Sequence, residues 1–566
     1  MTDLIPKPRI PDELDGATPR TLIDDLLAEQ QELTAVEKFS RAHDTHAARR
    51  GLYRDLLPVS PPATGEQYAF EVNLDQCSGC KACVSACHSL NGLDDHETWR
   101  SVGLLMDLPD ARDARRRVQQ GFQQHITTAC HHCVDPGCLN GCPVLAYDKD
   151  PLTGIVRHLD DQCIGCQYCV MMCPYEVPQY SKARGIVRKC DMCHSRLSAG
   201  EAPACVQACP TSAIKITVVD QARVRAKYRQ LSTFNFQPTS IASVKNSFLA
   251  TSPNPAITLP TTRFVTQRTF PENLFAGDQL AVRRSDAHLP LAILLVLSQF
   301  AIGASIAALV VKPATPLLLI ALGAGLVALA AGSLHLGQPL KAWRSFLGWR
   351  NSWFSREVIA LSAFVFLIVV ANGATWFPPM QSLEKFVAPL AAVAGVLTVT
   401  CSAMIYVATR REFWNAARSF GKFFGTTFIL GAAALWAMSA FNGANDAAFT
   451  VSTFALAVAT LVKLGFEHKI FAHLVDEETP VQTPLNKTAR LLAGELNGLV
   501  RKRIAFAVIG GVVLPIIALS QMIAGSRIHP ALAIAVLALC VTGEFIERYL
   551  FFTAVVSQKM PGGLAS

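Results

Sequence analysis

Sixteen of the 18 cysteines of this 566-residue chain lie between Cys77 and Cys209, in four groups of four. Three cysteines on one tight loop can reach three irons of a cubane cluster. The fourth, which we expect at the head of a short helix, points towards a neighbouring cluster. The spacing therefore predicts four 4Fe-4S clusters. The groups are Cys77, Cys80, Cys83 and Cys87; Cys130, Cys133, Cys138 and Cys142; Cys163, Cys166, Cys169 and Cys173; and Cys190, Cys193, Cys205 and Cys209.

Structural zinc is the main alternative, because zinc also takes four cysteines. Zinc sites usually use two CxxC pairs with a longer insert, and the compact CxxCxxCxxxC spacing crowds a single tetrahedral ion. Disulfides are disfavoured, since the start MTDLIPKPRIPDELDG has no apolar region typical of a signal peptide. Proline follows the fourth cysteine at Pro143, Pro174 and Pro210, as in bacterial ferredoxins, whereas His88 takes that place in the first group.

The sequence turns strongly apolar from Leu289 onward. Most of its apolar runs approach the roughly 20 residues that a helix needs to cross a bilayer. A buried helical core would not supply eight such runs. The predicted spans are 289–311, 315–334, 356–376, 386–409, 423–441, 447–466, 504–524 and 531–556.

Two other signals are better explained by the membrane. The net charge of +8 does not form one basic stripe, and the basic residues of the second half lie beside apolar spans, so no nucleic-acid partner is expected. Gly323, Gly325 and Ala328 imitate a dinucleotide fingerprint. They lie inside a predicted span, where small residues let helices pack closely.

Basic residues are distributed unequally between the two ends of the spans. Only Lys312, Lys385 and Arg527 lie on the side opposite to the cysteines. By the positive-inside rule, this bias predicts an inner-membrane protein with its cysteine-rich half in the cytoplasm. The fifteen basic residues on the cysteine side are Lys341, Arg344, Arg350, Arg356, Arg410, Arg411, Arg418, Lys422, Lys463, Lys469, Lys487, Arg490, Arg501, Lys502 and Arg503.

The loop after the second span gathers charged and aromatic side chains at one membrane surface. Aromatic residues and cations at an interface often serve only as anchors. A quinone headgroup, however, needs one residue to bond its oxygen and another to pass protons, and His335 and Glu357 suit these roles. The predicted quinone site consists of His335, Lys341, Arg344, Arg356 and Glu357.

The last span contains Glu544, Glu547 and Arg548. Glu544 and Arg548 are four residues apart on a helix, so we expect a structural ion pair, with a proton path as the second interpretation. The histidines of the second half lie at span ends or in loops, which does not suit two axial ligands at matching depth. No haem is therefore predicted.

Residues 70 to 220 resemble the four-cluster electron-transfer subunit of the dimethyl sulfoxide reductase family of molybdenum enzymes. The resemblance is carried by TACHHCVDPGCLNGCP, DDQCIGCQYCVMMCPYEVP, RKCDMC and GEAPACVQACPTSAI. It implies nested ligand sets, which spacing alone does not distinguish from sequential pairing. The implied sets are Cys77, Cys80 and Cys83 with Cys209; Cys190, Cys193 and Cys205 with Cys87; Cys130, Cys133 and Cys138 with Cys173; and Cys163, Cys166 and Cys169 with Cys142.

The membrane half, residues 287 to 556, resembles the integral anchor of the same family more loosely. The resemblance implies that the cluster of the third cysteine group lies nearest the membrane and that His335 and Glu357 serve a quinol site. Lys341 stands where relatives often have arginine. Because Cys166 is present, we expect a full cube in this group rather than the three-iron cluster of some relatives.

The resulting prediction is an α+β double ferredoxin-like iron–sulfur domain fused to an all-α bundle of eight transmembrane helices. Its cofactors would be four 4Fe-4S clusters, with menaquinone or ubiquinone as the lipid-soluble substrate. The predicted parts are an N-terminal extension that contacts a partner or forms a tail (1–68), the iron–sulfur domain (69–225), a linker or strap (226–286) and the membrane anchor (287–558).

We expect the chain to pass electrons between a molybdopterin-containing catalytic subunit and membrane quinone. Similarity to cytoplasmic sulfite-oxidising complexes, carried by CHSLNGLDDHETWRSVGLL, favours electron flow into quinone. Quinol-dependent reduction of nitrate, dimethyl sulfoxide or another S- or N-oxide is the alternative, because cluster spacing does not set potential. Two rivals from other classes are an ion-pumping redox module and a zinc scaffold without redox function.

Overall fold

The computed structural model describes residues 55–107, 122–232, 248–271, 274–377, 381–442, 447–474 and 483–563, with residue 379 and isolated positions between 21 and 41. Contacts divide the chain into two units, Met1–Asp55 and Leu56–Ser566. In the first unit, Glu37 Oε2 accepts hydrogen bonds from the backbone N–H and the hydroxyl of Thr34, each at 2.8 Å, and the Glu37 N–H donates to Thr34 Oγ1 at 3.3 Å. This reciprocal cap is a helix-start signature and agrees with the helical pattern of this region. Most of the N-terminal extension lies outside the described residues.

Two three-stranded sheets frame the cysteine-rich half. Their strand orders are β8-β1-β9 and β10-β2-β3, and two short hairpins, β4–β5 and β6–β7, complete the described strands. Both faces of β1 are covered, because Ala69, Phe70 and Val72 are all at most 2% exposed. The strands are β1 Glu66–Asn73, β2 Ser101–Asp107, β3 Gln123–Thr128, β4 Tyr147–Lys149, β5 Val156–His158, β6 Gln179–Ser181, β7 Ile186–Arg188, β8 Ile214–Asp220, β9 Arg263–Val265 and β10 Leu274–Ala276.

Short helices follow the cysteine loops. In three of the four groups the fourth cysteine lies just after its helix, and in the first group it lies near the helix end, so our expectation that it heads the helix is wrong. The third cysteine stands in the first turns instead. One turn of helix then carries the chain from one cluster position to the next. The helices are Ala82–Leu90, Gly137–Gly141, Tyr168–Met172, His194–Ser198, Ala204–Gln207 and Gln221–Ser232.

Part of the predicted linker belongs to the two sheets. Within residues 226–286, β9 pairs in parallel with β1, and β10 pairs antiparallel with β2. The sequence signalled no strand here, because three-residue strands show no alternating pattern. The described part of this segment is therefore strapped over the iron–sulfur domain.

Within the described residues, eight helices are long and apolar enough to cross a membrane, which confirms the number of spans predicted from the sequence. The seventh span contains a π-helical turn at Ile509–Val513. Short 3₁₀ helices at Pro339–Phe346, Glu412–Trp414 and Lys469–His473 connect or extend the spans, and Pro484–Ala493 is a short amphipathic helix. The spans are Leu289–Ala307, Thr315–Leu334, Trp353–Trp376, Gln381–Val407, Ala416–Phe441, Ala447–His468, Asn497–Ile523 and Pro530–Thr553.

The first and fifth spans form the centre of the bundle. In each of them, 72% of the residues in the most apolar stretch are buried inside the protein. They approach closely at Gly303 and Gly431, where a Cβ on Gly303 would lie 2.7 Å from the Gly431 nitrogen. Gly325 and Ala328 are buried within the second span, which agrees with a role in helix packing. A Cβ on Gly323 would meet nothing within 4 Å, so the packing role expected for Gly323 is wrong.

The segment after the eighth span returns to the iron–sulfur domain. The Leu104 N–H in β2 donates to the Gly562 carbonyl at 3.0 Å, and the Gly562 N–H donates to Asp278 Oδ1 at 2.9 Å. Gln558 also donates to the carbonyls of Thr251 and Ser252 in the strap. The two halves are thus connected by this tail as well as by the strap.

Candidate iron–sulfur chain and membrane-side redox site

All 18 cysteines lie in described parts of the chain, and all are free thiols. Among the sixteen clustered cysteines, only Cys80 is exposed, and most of the others are buried. Burial raises the pKa of the Cys87 thiol to about 12 and that of the Cys142 thiol to about 11, because a thiolate there loses its hydration. Metal binding would replace the thiol protons at such positions.

The thiols come together in four sets drawn from different cysteine groups. Members of each set face one another closely enough to interact electrostatically, and we group the thiols according to the nested sets that the resemblance implied. The assignment of irons to them stays a prediction. The sets are Cys77 with Cys80, Cys83 and Cys209; Cys190 and Cys193 with Cys87 and Cys205; Cys133 with Cys130, Cys138 and Cys173; and Cys169 with Cys142, Cys163 and Cys166. We call them the first to fourth thiol sets.

The four sets follow one another in a row. Cys83 of the first set faces Cys205 of the second, and Cys190 of the second faces Cys130 of the third. Tyr147 faces both the third and the fourth set. A series of neighbouring centres is what electron transfer across a domain requires.

The space between the thiols fits a group larger than one ion. Four thiolates on one zinc would lie roughly 3.8 Å apart, given a zinc–sulfur distance of about 2.3 Å. Within the described parts of the chain, no group of three or more Cys, His, Asp or Glu side chains is close enough to hold a single metal ion. A cavity instead lies among the third set, bounded by Cys130, Cys133, Cys138 and Cys173. This geometry suits a cubane, which places each thiolate on a different iron.

Backbone N–H groups donate to several of the sulfurs. Gly165 donates to Cys163 Sγ at 3.4 Å, and Ala146 and Ala213 donate to Cys142 Sγ and Cys209 Sγ at 3.2 Å. Gly165 has φ of +69°, a conformation that glycine adopts without steric cost and that aims its N–H at the preceding cysteine. Such bonds stabilise negative charge on a cluster.

The loop between the second and third spans encloses the fourth thiol set. The Gln338 N–H donates to the Ile164 carbonyl at 3.0 Å, and the Gly348 N–H donates to the Pro143 carbonyl at 2.7 Å. The Ser352 hydroxyl donates to the Gly141 carbonyl at 2.6 Å. The fourth set is therefore in contact with the membrane half.

Two predicted quinone-site residues lie against the loop of the fourth set. The His335 imidazole contacts the Cys166 backbone, and burial lowers its pKa to about 4, so the ring is neutral near pH 7. His335 Nε2 is buried and has no hydrogen-bond partner among the residues that the structure describes. Glu357 is 7% exposed, accepts a hydrogen bond from Ser402 and faces Tyr168. The structure thus brings His335 and Glu357 to the same short stretch, Cys166–Tyr168.

The other three predicted residues bind backbone carbonyls. Lys341 Nζ and an Arg344 nitrogen both donate to the Asp161 carbonyl, at 3.1 Å and 3.0 Å. Arg356 donates to the carbonyls of Trp349 and Arg350 and lies over the Trp353 ring at 4.3 Å. Their contacts dock the loop on the iron–sulfur domain or brace its own turn.

The expected ion pair between Glu544 and Arg548 is wrong. Glu544 pairs with Lys463 and with Arg503, the latter at 2.8 Å. Arg548 donates to Gln299 Oε1 at 3.0 Å and lies 3.6 Å from Glu547. Glu544 therefore finds its cationic partners on neighbouring spans, whereas Arg548 binds Gln299 of the first span and lies near Glu547 of its own helix.

These residues belong to a larger network, which we call the buried charge network. Its members are Lys422, Lys463, Glu467, Arg503, Glu544, Glu547 and Arg548. Sequence reasoning counted three of its cations as topology signals, although Lys422, Lys463 and Arg503 are at most 8% exposed. Their position within or directly beside apolar runs is the sequence signal that could have indicated burial.

A row of thiol sets that ends against eight membrane helices defines a membrane-anchored iron–sulfur protein of electron transport. The profile of the 4Fe-4S dicluster domain matches residues 122–219, and that of the DMSO reductase anchor subunit (DmsC) matches residues 286–554. This protein belongs to the dimethyl sulfoxide reductase family, as an iron–sulfur subunit fused to a DmsC-type anchor.

Curated relatives match the cysteine-rich half. The protein is 36% identical over 178 residues to the B subunit of anaerobic dimethyl sulfoxide reductase from Haemophilus influenzae, a match that covers 31% of this protein and 85% of the relative. The corresponding B subunit of Escherichia coli is 36% identical over 157 residues, covering 28% and 76%. The iron–sulfur subunit of the nitrate-inducible formate dehydrogenase of Escherichia coli is 36% identical over 170 residues, covering 28% and 57%.

Proposed function

We propose that this protein carries electrons from membrane quinol, through four 4Fe-4S clusters, to a molybdopterin-containing catalytic partner that reduces an S- or N-oxide. The observation that carries the proposal is the enclosure of the fourth thiol set by the loop that bears His335 and precedes Glu357. The relatives named as B subunits of dimethyl sulfoxide reductase support the direction. The sulfite-oxidising direction that the sequence favoured receives no support from these relatives.

The thiol sets would hold the clusters, which supply one-electron steps when bound. Oxidation of a quinol releases two electrons and two protons, so the site needs a hydrogen-bond partner and a proton acceptor. The unpartnered Nε2 of His335 suits the first role. Glu357 suits the second, and the Ser402 hydroxyl orients its carboxylate. Tyr168 donates to the Ile405 carbonyl at 3.1 Å and so connects the loop of the fourth set to the fourth span.

Assay of the purified native complex tests the direction. We expect a reduced quinol analogue to reduce the clusters, and dimethyl sulfoxide or trimethylamine N-oxide to reoxidise them. Reduction of the clusters by sulfite, followed by reduction of added quinone, would instead establish the direction that the sequence favoured. Absence of reducible iron–sulfur centres would refute both.

We further propose that the iron–sulfur domain faces the cytoplasm. Removing the three buried network cations from the count leaves twelve basic residues on the cysteine side against three on the other. A tag at Ser566 tests this side, because the segment after the eighth span returns to the iron–sulfur domain. A membrane-impermeant probe should reach the tag in inverted vesicles but not in intact cells, and the reverse pattern would overturn the orientation.

Ion pumping is the second candidate. The buried charge network supports it better than the two residues expected from the sequence, Glu544 and Arg548, would. A cavity of about 670 Å³ borders Lys422, Glu467, Arg503 and Glu547 of the network. If this candidate holds, proteoliposomes that oxidise quinol should move more protons across the membrane than quinol oxidation itself releases. A proton count that equals quinol chemistry alone would exclude it.

A further inference from the structure

Arg100 is a buried cation that has no carboxylate partner in the described part of the chain. It is 2% exposed, one guanidinium nitrogen donates to Thr127 Oγ1 at 3.1 Å, and the group lies 4.7 Å from the centre of the Phe70 ring. Its Nε and second terminal nitrogen have no hydrogen-bond partner. The nearest acidic side chain in sequence, Glu97, pairs with Arg188 at 2.8 Å. A charge buried in this way is costly unless something neutralises it.

The groups that can neutralise Arg100 are cysteine sulfurs, which become negative when they bind iron as thiolates. It faces Cys83 of the first thiol set and Cys87, Cys190 and Cys205 of the second. Thr127 lies 3.5 Å from Cys83 Sγ, so the same hydroxyl contacts both the guanidinium and a thiol. Arg100 therefore stands between two consecutive sets.

Lys189 occupies the next gap in the row. It is 3% exposed, and its ammonium donates to the carbonyls of Cys190, at 2.7 Å, and Val156. It faces Cys130 and Cys138 of the third set, Cys190 of the second, and more weakly Asp191. The first two gaps of the row thus each contain one buried cation.

We propose that Arg100 and Lys189 are fixed charges that raise the reduction potentials of the clusters on either side of them. Adding an electron makes a cluster more negative, and a nearby cation in a poorly solvated interior stabilises that extra charge. The inference rests on the proposed function, because it needs clusters in the thiol sets. Both residues act on the clusters through their charge and do not contact quinol or substrate, so neither is a catalytic residue.

Redox titration of the native complex, followed by electron paramagnetic resonance, tests this. Arg100→Gln should lower two of the four midpoint potentials, and Lys189→Met should lower two, one of them shared with Arg100→Gln. Arg100→Lys and Lys189→Arg should keep values near those of the unchanged protein. Arg157→Gln is the matched control, because Arg157 is a half-exposed arginine of the same domain, paired with Asp148, and solvent screens its charge.

Iron content per chain is measured first for each variant. Full iron with unchanged potentials in Arg100→Gln and Lys189→Met would overturn the proposal. If Arg100→Gln loses iron, Lys189→Met decides, and its unchanged potentials would overturn the proposal equally. Absence of reducible centres in the unchanged complex would instead refute the proposed function, so the two failures are distinguishable.

Discussion

Gly337, in the loop after the second span, lies directly over Gly165 in the cysteine loop of the fourth thiol set. A Cβ on Gly165 would lie 2.9 Å from the Gly337 Cα. Gly185 meets the same point from the neighbouring hairpin turn, and a Cβ there would lie 2.6 Å from the Gly337 carbonyl oxygen. Three glycines from three segments thus allow the loop after the second span to rest on the cysteine loop. Side chains at this point would separate the two halves.

Gly337→Ala should therefore weaken electron transfer from quinol without removing the clusters. We expect quinol-driven reduction of the clusters to slow at least tenfold, because transfer rates fall steeply when the docking distance grows. Dithionite should still reduce all centres. Gly323→Ala is the matched control, since a Cβ there meets nothing within 4 Å. Equal rates in the two variants would contradict the docking role.

Glu357→Gln should slow quinol oxidation because the amide cannot take a proton. We expect a loss of about 10²-fold in turnover with iron content unchanged. Ser402→Ala should give a smaller loss, since it removes the hydroxyl that orients Glu357. Glu384→Gln, near the start of the fourth span, is the control carboxylate. Turnover of Glu357→Gln equal to that of the control would exclude Glu357 as proton acceptor.

The nested thiol sets make a prediction that sequential pairing does not. Cys77→Ser and Cys209→Ser should perturb the same resonance signal, whereas Cys205→Ser should perturb another, because Cys209 faces Cys77. The unchanged protein should contain about sixteen irons per chain. Cys401→Ser lies outside the sets and should change neither signal nor iron. Shared signals for Cys205 and Cys209 would favour sequential pairing.

The buried charge network should respond strongly to loss of one partner. Glu544→Gln leaves Lys463 and Arg503 with less neutralisation in the bundle, which we expect to cost about 3 to 5 kcal/mol. Glu495→Gln is the comparison, because Glu495 pairs with Arg284 at 3.6 Å while half exposed, and such pairs contribute about 0 to 1 kcal/mol. Thermal unfolding in detergent measures both. Similar midpoints would show that the network does not stabilise the bundle.

Cysteine spacing and apolar length were sufficient to predict the two halves. Both are local properties: a cluster loop needs its cysteines within a few residues, and a span needs consecutive apolar residues. The strap strands β9 and β10 were missed because three residues carry no readable period. The helix position of the fourth cysteine was wrong because spacing fixes the distance between ligands and not the conformation between them.

The sequence identified only some of the residues whose partners lie far away in the chain. His335 and Glu357 were identified because they lie near each other in one loop and the following span. Ser402 and Tyr168 were not, since they reach Glu357 from other segments. Lys422 and Lys463 were interpreted only as topology signals, because a lysine near a span end has the same sequence appearance whether it faces water or a carboxylate on another helix.

The sequence by itself determined which side chains could hold iron and which segments could enter a membrane, since residue type and local spacing decide both. Only the tertiary structure decided which thiols face one another, where Arg100 and Lys189 lie between them, and how three glycines bring the cysteine loop against the anchor. Those relationships join residues far apart in the sequence. Their distances depend on how sheets, strap and spans pack together, which local spacing does not encode.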